Sequence, residues 1–230
     1  MRKLLNYIYT HYNNQIANEK TSLIHIIHHK ICSSKLIARM LFHTRIDPII
    51  LREKKSFPHL FDLTSILMSL VMRSILKKDS RKKILDIGTG RYGILSIFLK
   101  KKYPNIKVVA SDIEKTFVRN ANINFSYNDV DVNCQESNLF DNINEFDFDF
   151  IIWNLPYYAE PENYLNDFFN ETSNRLSKQG TIILGYNSFA TTNSQILNII
   201  KKFKKLKVTN IKNYYWNNHR ILTINKFIET

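Results

Sequence analysis

Apolar residues in the first third of the chain recur at three- and four-residue steps, the spacing of a helix face rather than the alternation of a half-buried strand. Leu23, Ile26, Ile27 and Ile31 form one such row, and Leu36, Ile37, Met40 and Leu41 form a second after Ser33-Ser34. A third helix is predicted over about 62–77, with Leu63, Ile66, Leu67, Leu70, Val71 and Ile75 on its apolar side and Asp62 available as its cap. From Ile84 the pattern changes to short apolar runs that alternate with amphipathic stretches, which predicts βα units around a parallel sheet. The runs fall at 84–87, 107–111, 130–134, 148–153 and 181–185, with helical stretches near 92–102, 115–124, 161–177 and 194–203. Beyond them, 207–211 and 221–225 are joined without a helix and read as an antiparallel pair that closes the sheet. The expected architecture is α/β. It has a seven-stranded, mostly parallel sheet with an antiparallel C-terminal pair over 84–230, preceded by a helical N-terminal cap over 1–83.

Composition narrows the class. Hydrophobic residues make up 44% and aromatic residues 13% of 230, which excludes a disordered chain, and 5 Gly with 5 Pro exclude collagen-like or linker material. Cys32 and Cys134 are the 2 cysteines, too few for a disulfide scaffold or a four-thiolate zinc site, so a reducing, cytoplasmic setting is expected. Apolar runs stay below the roughly 18–20 residues of a membrane span, so no membrane partner is expected. The net charge of +13 is uneven: residues 1–83 carry 16 basic and 5 acidic side chains, 84–200 carry 9 and 14, and 201–230 carry 8 and 1. The excess sits at the two ends. An anionic partner at the N-terminal segment and the C-terminal tail is one reading, and biased residue usage is the other.

Candidate chemistry begins where the first strand, Ile84-Leu85-Asp86-Ile87, runs into Gly88-Thr89-Gly90-Arg91-Tyr92-Gly93 and then an apolar helix. Glycines at such a turn let the backbone bend sharply and let a ligand approach main-chain N–H groups at the helix start. Asp112 ends the next strand, where a carboxylate can accept two hydrogen bonds from a ribose diol. Gly88-x-Gly90-x-x-Gly93 also fits the dinucleotide fingerprint, so the turn alone leaves both readings open. The fourth strand, Phe148–Trp153, ends at Asn154-Leu155-Pro156-Tyr157. There an Asn oxygen and a neighbouring carbonyl can accept both hydrogens of an –NH2 group and so fix the direction of its lone pair. Pro156 stiffens the turn, and Tyr157 offers a flat face for a planar amide or base.

Leu85-Asp86-Ile87-Gly88-Thr89-Gly90 and Ala110-Ser111-Asp112-Ile113 resemble the first two motifs of class I S-adenosylmethionine-dependent methyltransferases. Asn154-Leu155-Pro156-Tyr157 resembles the (Asp/Asn/Ser)-Pro-Pro-(Tyr/Phe) motif of the members that methylate planar nitrogens, the small-domain, glutamine and adenine N-methyltransferases. The resemblance implies a Rossmann-like fold and S-adenosyl-L-methionine as cofactor. It implies that Asp86, Gly88 and Gly90 hold the methionine end, that Asp112, with Ile113 beside it, holds the ribose, and that Asn138 and Leu139 after the third strand meet the adenine. Asn154, Pro156 and Tyr157 are the implied catalytic group, with Asn154 also touching the cofactor. One departure is that Tyr92 stands where the family has its third glycine, with Gly93 one place later.

The expected reaction is N-methylation of a protein glutamine or an RNA base. The alternatives are a small-molecule methyltransferase with the N-terminal helices as a lid, and a non-catalytic scaffold. Phe57-Pro58 loosely resembles the segment that lids the cofactor in the small-domain enzymes, and equally reads as a proline before a helix. His25, His28 and His29 share a helix face with Cys32 a turn further on, but a zinc site needs a partner pair elsewhere, so no metal is expected. Tyr214-Tyr215-Trp216 reads as packing over the sheet edge in preference to a base-stacking platform.

Overall fold

The computed structural model of the protein describes residues 27, 30–46, 59–156, 161–188, 191–214 and 218–227. Its helices are α1 (Lys35–Phe42), α2 (Leu63–Ile75), α3 (Ile94–Lys102), α4 (Lys115–Tyr127), α5 (Pro161–Arg175) and α6 (Asn193–Ile200). Its strands are β1 (Lys83–Ile87), β2 (Lys107–Asp112), β3 (Asn133–Glu136), β4 (Phe148–Asn154), β5 (Leu176–Asn187), β6 (Leu206–Tyr214) and β7 (His219–Lys226). They form one sheet in the order β3-β2-β1-β4-β5-β7-β6. Pairing is parallel from β3 to β5, and β7 runs antiparallel to both of its neighbours. The expected mostly parallel seven-stranded sheet is therefore present, with β7 as the reversed strand.

Alternation along the strands divides the core between the two sheet faces. Ile84, Phe150, Ile152 and Ile183 point into one apolar cluster together with Phe42 of α1, Met68 and Met72 of α2 and Phe98 of α3. Leu85, Ile151, Trp153 and Leu184 point into the other, against Phe168 and Phe169 of α5 and Ile196 of α6. The helices before residue 84 thus share a core with the sheet: at Gly185 of β5 an added Cβ would lie 2.6 Å from the Met68 sulfur. In α1 the buried face is Ala38 and Phe42, while Leu36 and Met40 are 67% and 68% exposed. The apolar row expected there is therefore split between core and surface, and Phe42 anchors the helix at 5.2 Å from the Phe61 ring centroid.

Two boundaries depart from the sequence pattern. The apolar run at 130–134 reads as strand, yet β3 starts only at Asn133. α4 runs on to Tyr127, Asp129 takes a left-handed backbone at φ 53°, and the Val130 N–H closes back on the Phe125 carbonyl. Val130 and Val132 are thus spent on packing the helix end against Ala110, Phe125 and Cys134. β5 begins at Leu176, directly after α5; the pattern reads this stretch as the end of a helix because Ser177-Lys178-Gln179 is polar.

Candidate active site

Register brings the expected residues to one edge of the sheet. Ile87 of β1 lies beside Ser111 of β2 and Trp153 of β4, and Asn154 lies beside Gly185 of β5. The glycine turn, Asp112 and Asn154 therefore sit together at the C-terminal ends of parallel strands, where open α/β sheets bind ligands. A cavity of 210 Å³ opens there, lined among others by Asp62, Ser65, Asp86, Gly88, Gly90 and Asn154.

The turn is built around two carboxylates. Asp86, 2% exposed, accepts hydrogen bonds from the Thr89 hydroxyl at 2.7 Å and the Ser96 hydroxyl at 2.6 Å through Oδ2, which ties β1 to the turn and to α3. Burial pushes its carboxyl up to about 6; the two hydroxyl donors oppose the shift and the neighbouring Asp112 adds to it. Asp112 accepts the Gly90 N–H at 2.9 Å and the Glu114 N–H at 2.9 Å, one on each oxygen, and burial raises its carboxyl too. A carboxylate has about four acceptor positions, so Asp112 retains capacity for a diol. Two buried carboxylates that repel each other favour the arrival of a cation.

The glycines divide the labour. Gly90 has φ 72° and nothing within 4 Å of where a Cβ would stand, so its backbone faces open space. Gly93 has φ 58° and caps α3, and a Cβ there would stand 2.3 Å from the Phe125 ring. Gly93 therefore serves close packing of the turn on α4, and Tyr92 beside it is buried in the core shared by α1–α3.

At the other wall, the Asn154 Nδ2 donates to both carboxylate oxygens of Asp62 at 3.1 Å and to the Ser65 hydroxyl at 3.3 Å. Its Oδ1 is buried and has no hydrogen-bond partner among the described residues. Asp62 does double duty, because its Oδ1 also caps α2 by accepting the Ser65 N–H at 2.7 Å. The sequence marked Asp62 as a cap and gave no sign of its reach to Asn154, 92 positions away.

Of the other expected site residues, Pro156 is described and partly buried, next to Leu155, whose N–H donates to the Gly185 carbonyl at 2.8 Å. Tyr157, Phe57-Pro58 and the histidines at 25, 28 and 29 lie outside the described residues, as do Tyr215 and Trp216. Asp112, Ile113, Asn138 and Leu139 are not lining residues of the cavity. Asp112 is tied to the lining through the Gly90 N–H; beyond it, the Ser137 N–H donates to the Asp112 carbonyl at 2.9 Å, and exposed Asn138 turns its Nδ2 to Asp141 at 3.4 Å. That turn leaves the Asn138 carbonyl oxygen as the acceptor its expected adenine contact would use. The basic run 77–83 enters β1 at the end remote from the glycine turn, where Lys82 pairs with Asp149 at 2.9 Å. No group of three or more His, Cys, Asp or Glu side chains among the described residues could hold a metal ion, and Cys32 and Cys134 are buried and not joined in a disulfide.

Comparison with known proteins identifies the family and the fold. The profile of the methyltransferase small domain family matches residues 62–216, and the chain belongs to that family. Ribosomal RNA small subunit methyltransferase C of Buchnera aphidicola is 25% identical over 171 residues, covering 72% of this chain and 52% of that one. A putative protein N5-glutamine methyltransferase of Methanocaldococcus jannaschii is 35% identical over 107 residues, 44% of this chain and 53% of that one. The chain thus spans about half the length of these curated relatives. Among solved structures, a methyltransferase from Pyrococcus furiosus superposes with a TM-score of 0.66 at 22% identity, covering 87% of this chain and 95% of that one. An S-adenosylmethionine-dependent methyltransferase from Clostridium acetobutylicum gives 0.59 at 15% identity, covering 73% and 93%. The expectation of the S-adenosylmethionine-dependent methyltransferase fold and family is borne out.

Proposed function

We propose that this protein transfers a methyl group from S-adenosyl-L-methionine to a planar amide or amino nitrogen in RNA or protein. The observation that carries this reading is the Asn154 amide, whose donor end is taken up by Asp62 and Ser65 and whose acceptor end is buried without a partner among the described residues. Such an oxygen is complementary to an N–H donor, the group that an amide or exocyclic amine presents. The names of the two relatives point to ribosomal RNA and to protein glutamine as substrates, and the second names a nitrogen as the acceptor.

The residues present suit the cofactor. S-adenosylmethionine carries an ammonium, a sulfonium and a ribose diol, and when bound it supplies a methyl group already activated for displacement. Asp86 and the turn at Gly88 and Gly90 would hold the amino-acid end, Asp112 beside Ile113 the ribose, and Asn138 with Leu139 the adenine. The open space over Gly90 and the two buried carboxylates are the features that fit it. The protein's share of catalysis is orientation and exclusion of water, effects that together lower a barrier by about 7–11 kcal/mol. Asn154 and the Leu155 carbonyl hold the nitrogen, Pro156 fixes the turn, and Tyr157 sets the plane of the substrate. Residues 1–83 act as a helical cap over the catalytic unit of 84–230, and the basic residues at both ends of the chain attract an anionic substrate.

Offering labelled S-adenosylmethionine with ribosomal RNA, ribosomal proteins and a metabolite extract, followed by mass spectrometry, tests the reading. Label on a base or glutamine nitrogen is expected. Label confined to small molecules, or cofactor binding with no transfer at all, would refute it.

A further inference from the structure

An asparagine amide has two ends of similar size and opposite hydrogen-bond character, and only its partners decide which one faces a ligand. In this protein the decision rests with α2. The Asp62 carboxylate can only accept when ionised, and both of its oxygens lie 3.1 Å from the Asn154 Nδ2. The Ser65 hydroxyl is committed as a donor to Asp62 Oδ1 at 2.8 Å, so it can only accept from Asn154. Three acceptors therefore converge on one end of the amide. A reversed amide would set its oxygen against the carboxylate.

Resting on the proposed N-methylation, we infer that Asp62 is a positioning residue that selects the nucleophile. It locks the Asn154 amide with Oδ1 as the end left for the substrate, so that the site takes a nitrogen bearing hydrogen and rejects an acceptor-only nucleophile such as a carboxylate. The substrate class follows from a residue outside the Asn-Leu-Pro-Tyr sequence, the N-cap of α2.

This inference makes an unusual prediction for the most conservative substitution. In an Asp62→Asn variant the new side chain keeps the α2 cap with its own oxygen, since Asn caps as well as Asp. Its –NH2 then occupies the place of Asp62 Oδ2 and donates toward Asn154, which turns the Asn154 amide over and presents –NH2 to the substrate. An Asp62→Ser variant also keeps the cap but leaves the amide unlocked. If Asp62 served the helix alone, both variants would behave like the parent.

The test measures melting, turnover and the side-chain amide of Asn154 in the full chain. Turnover uses labelled S-adenosylmethionine with ribosomal RNA and ribosomal proteins as acceptors. Asp62→Asn is expected to melt within a few degrees of the parent and to lose turnover by at least about 100-fold, as sites do when a buried polar group meets the wrong partner. Asp62→Ser is expected to lose only about three- to tenfold. In 15N-labelled protein the Asn154 –NH2 signal, assigned by its loss in Asn154→Ala, should exchange slowly with water in the parent and faster in Asp62→Asn. Equal turnover in the two Asp62 variants, or an Asn154 signal unmoved by Asp62→Asn, overturns the inference. Absence of methyl transfer by the parent would instead sink the proposed reaction, and the amide signal would still decide the role of Asp62.

Discussion

The glycine turn and the Asn154 corner face one cavity, yet the hydrogen bonds that shape the turn join residues 3, 10 and 22 positions apart, whereas those that shape the corner join residues 89 and 92 apart. The turn is a local object: one strand, one loop and one helix carry Asp86, Thr89, Gly90 and Ser96, and β2 adds Asp112 by direct pairing. The corner is assembled by tertiary packing, because α2 must dock on β5 before Asp62 can reach Asn154. On the proposed function, local geometry binds the cofactor and long-range geometry chooses what receives the methyl group.

If that division is right, changes at the corner should strike turnover and spare cofactor affinity. Asn154→Ala is the largest expected effect: about 10²–10³-fold in turnover, the usual cost of removing one oriented polar group at a reacting centre. Binding of S-adenosylhomocysteine by calorimetry should change little. Loss of cofactor binding in this variant would break the comparison, because the corner would then belong to the cofactor site.

Within the turn, two glycines separate structure from binding. Gly93→Ala combines a left-handed backbone with a collision against Phe125 and should cost about 2–4 kcal/mol in denaturant unfolding. Gly90→Ala meets no neighbour and should cost only the backbone term, about 1–2 kcal/mol, while its methyl group intrudes on the space left for the ligand and weakens cofactor binding out of proportion. Equal stability losses with unchanged affinity would show that the open space over Gly90 is not the binding surface.

The same contrast explains what was legible in the sequence. Strand-turn-helix at 84–102 announces itself because alternation, glycines and an apolar helix follow one another without interruption, and Asp86 and Asp112 are found by counting from the strand ends. Asn154 is found the same way, from the end of β4. Asp62 is visible only as a helix cap, since nothing in the chain records that the cap faces Asn154. The misplaced start of β3 has a related cause: Val130 and Val132 carry the alternation of a strand, but they are drawn back to Phe125 by the close of α4. Patterns of period two report burial, and burial is shared by strands and tight helix exits.

Acidity gives a smaller effect that tests the turn. Asp86 titrates at about 6 in the fold against 3.8 for a free carboxyl, because burial disfavours its charge. The folded chain thus holds this proton to higher pH than the unfolded chain does. The contribution of this group to stability is full at acid pH and is lost as pH rises through about 6. Binding of the cofactor's ammonium runs the other way, since it needs the carboxylate, so S-adenosylhomocysteine affinity should fall as pH is lowered through about 6. Calorimetry across pH 5–8 should show that fall in the parent and a flat profile in Asp86→Asn; a flat parent profile would remove Asp86 from the ligand contacts.

Ser65→Ala is the mildest change and the finest probe of the corner. It deletes the hydroxyl that accepts from Asn154 at 3.3 Å and donates to Asp62 at 2.8 Å, but it leaves the Ser65 N–H on Asp62 at 2.7 Å, so the α2 cap survives. Alanine suits a first helical turn, and both carboxylate oxygens of Asp62 still hold the Asn154 Nδ2. One neutral hydrogen bond is worth about 0.5–1.5 kcal/mol, which predicts a two- to tenfold loss of turnover with cofactor affinity unchanged. A larger loss would mean that the hydroxyl, rather than the carboxylate, orients the amide. No loss at all would mean that Asp62 suffices alone, and the corner would reduce to a single long-range contact set against the many short ones of the turn.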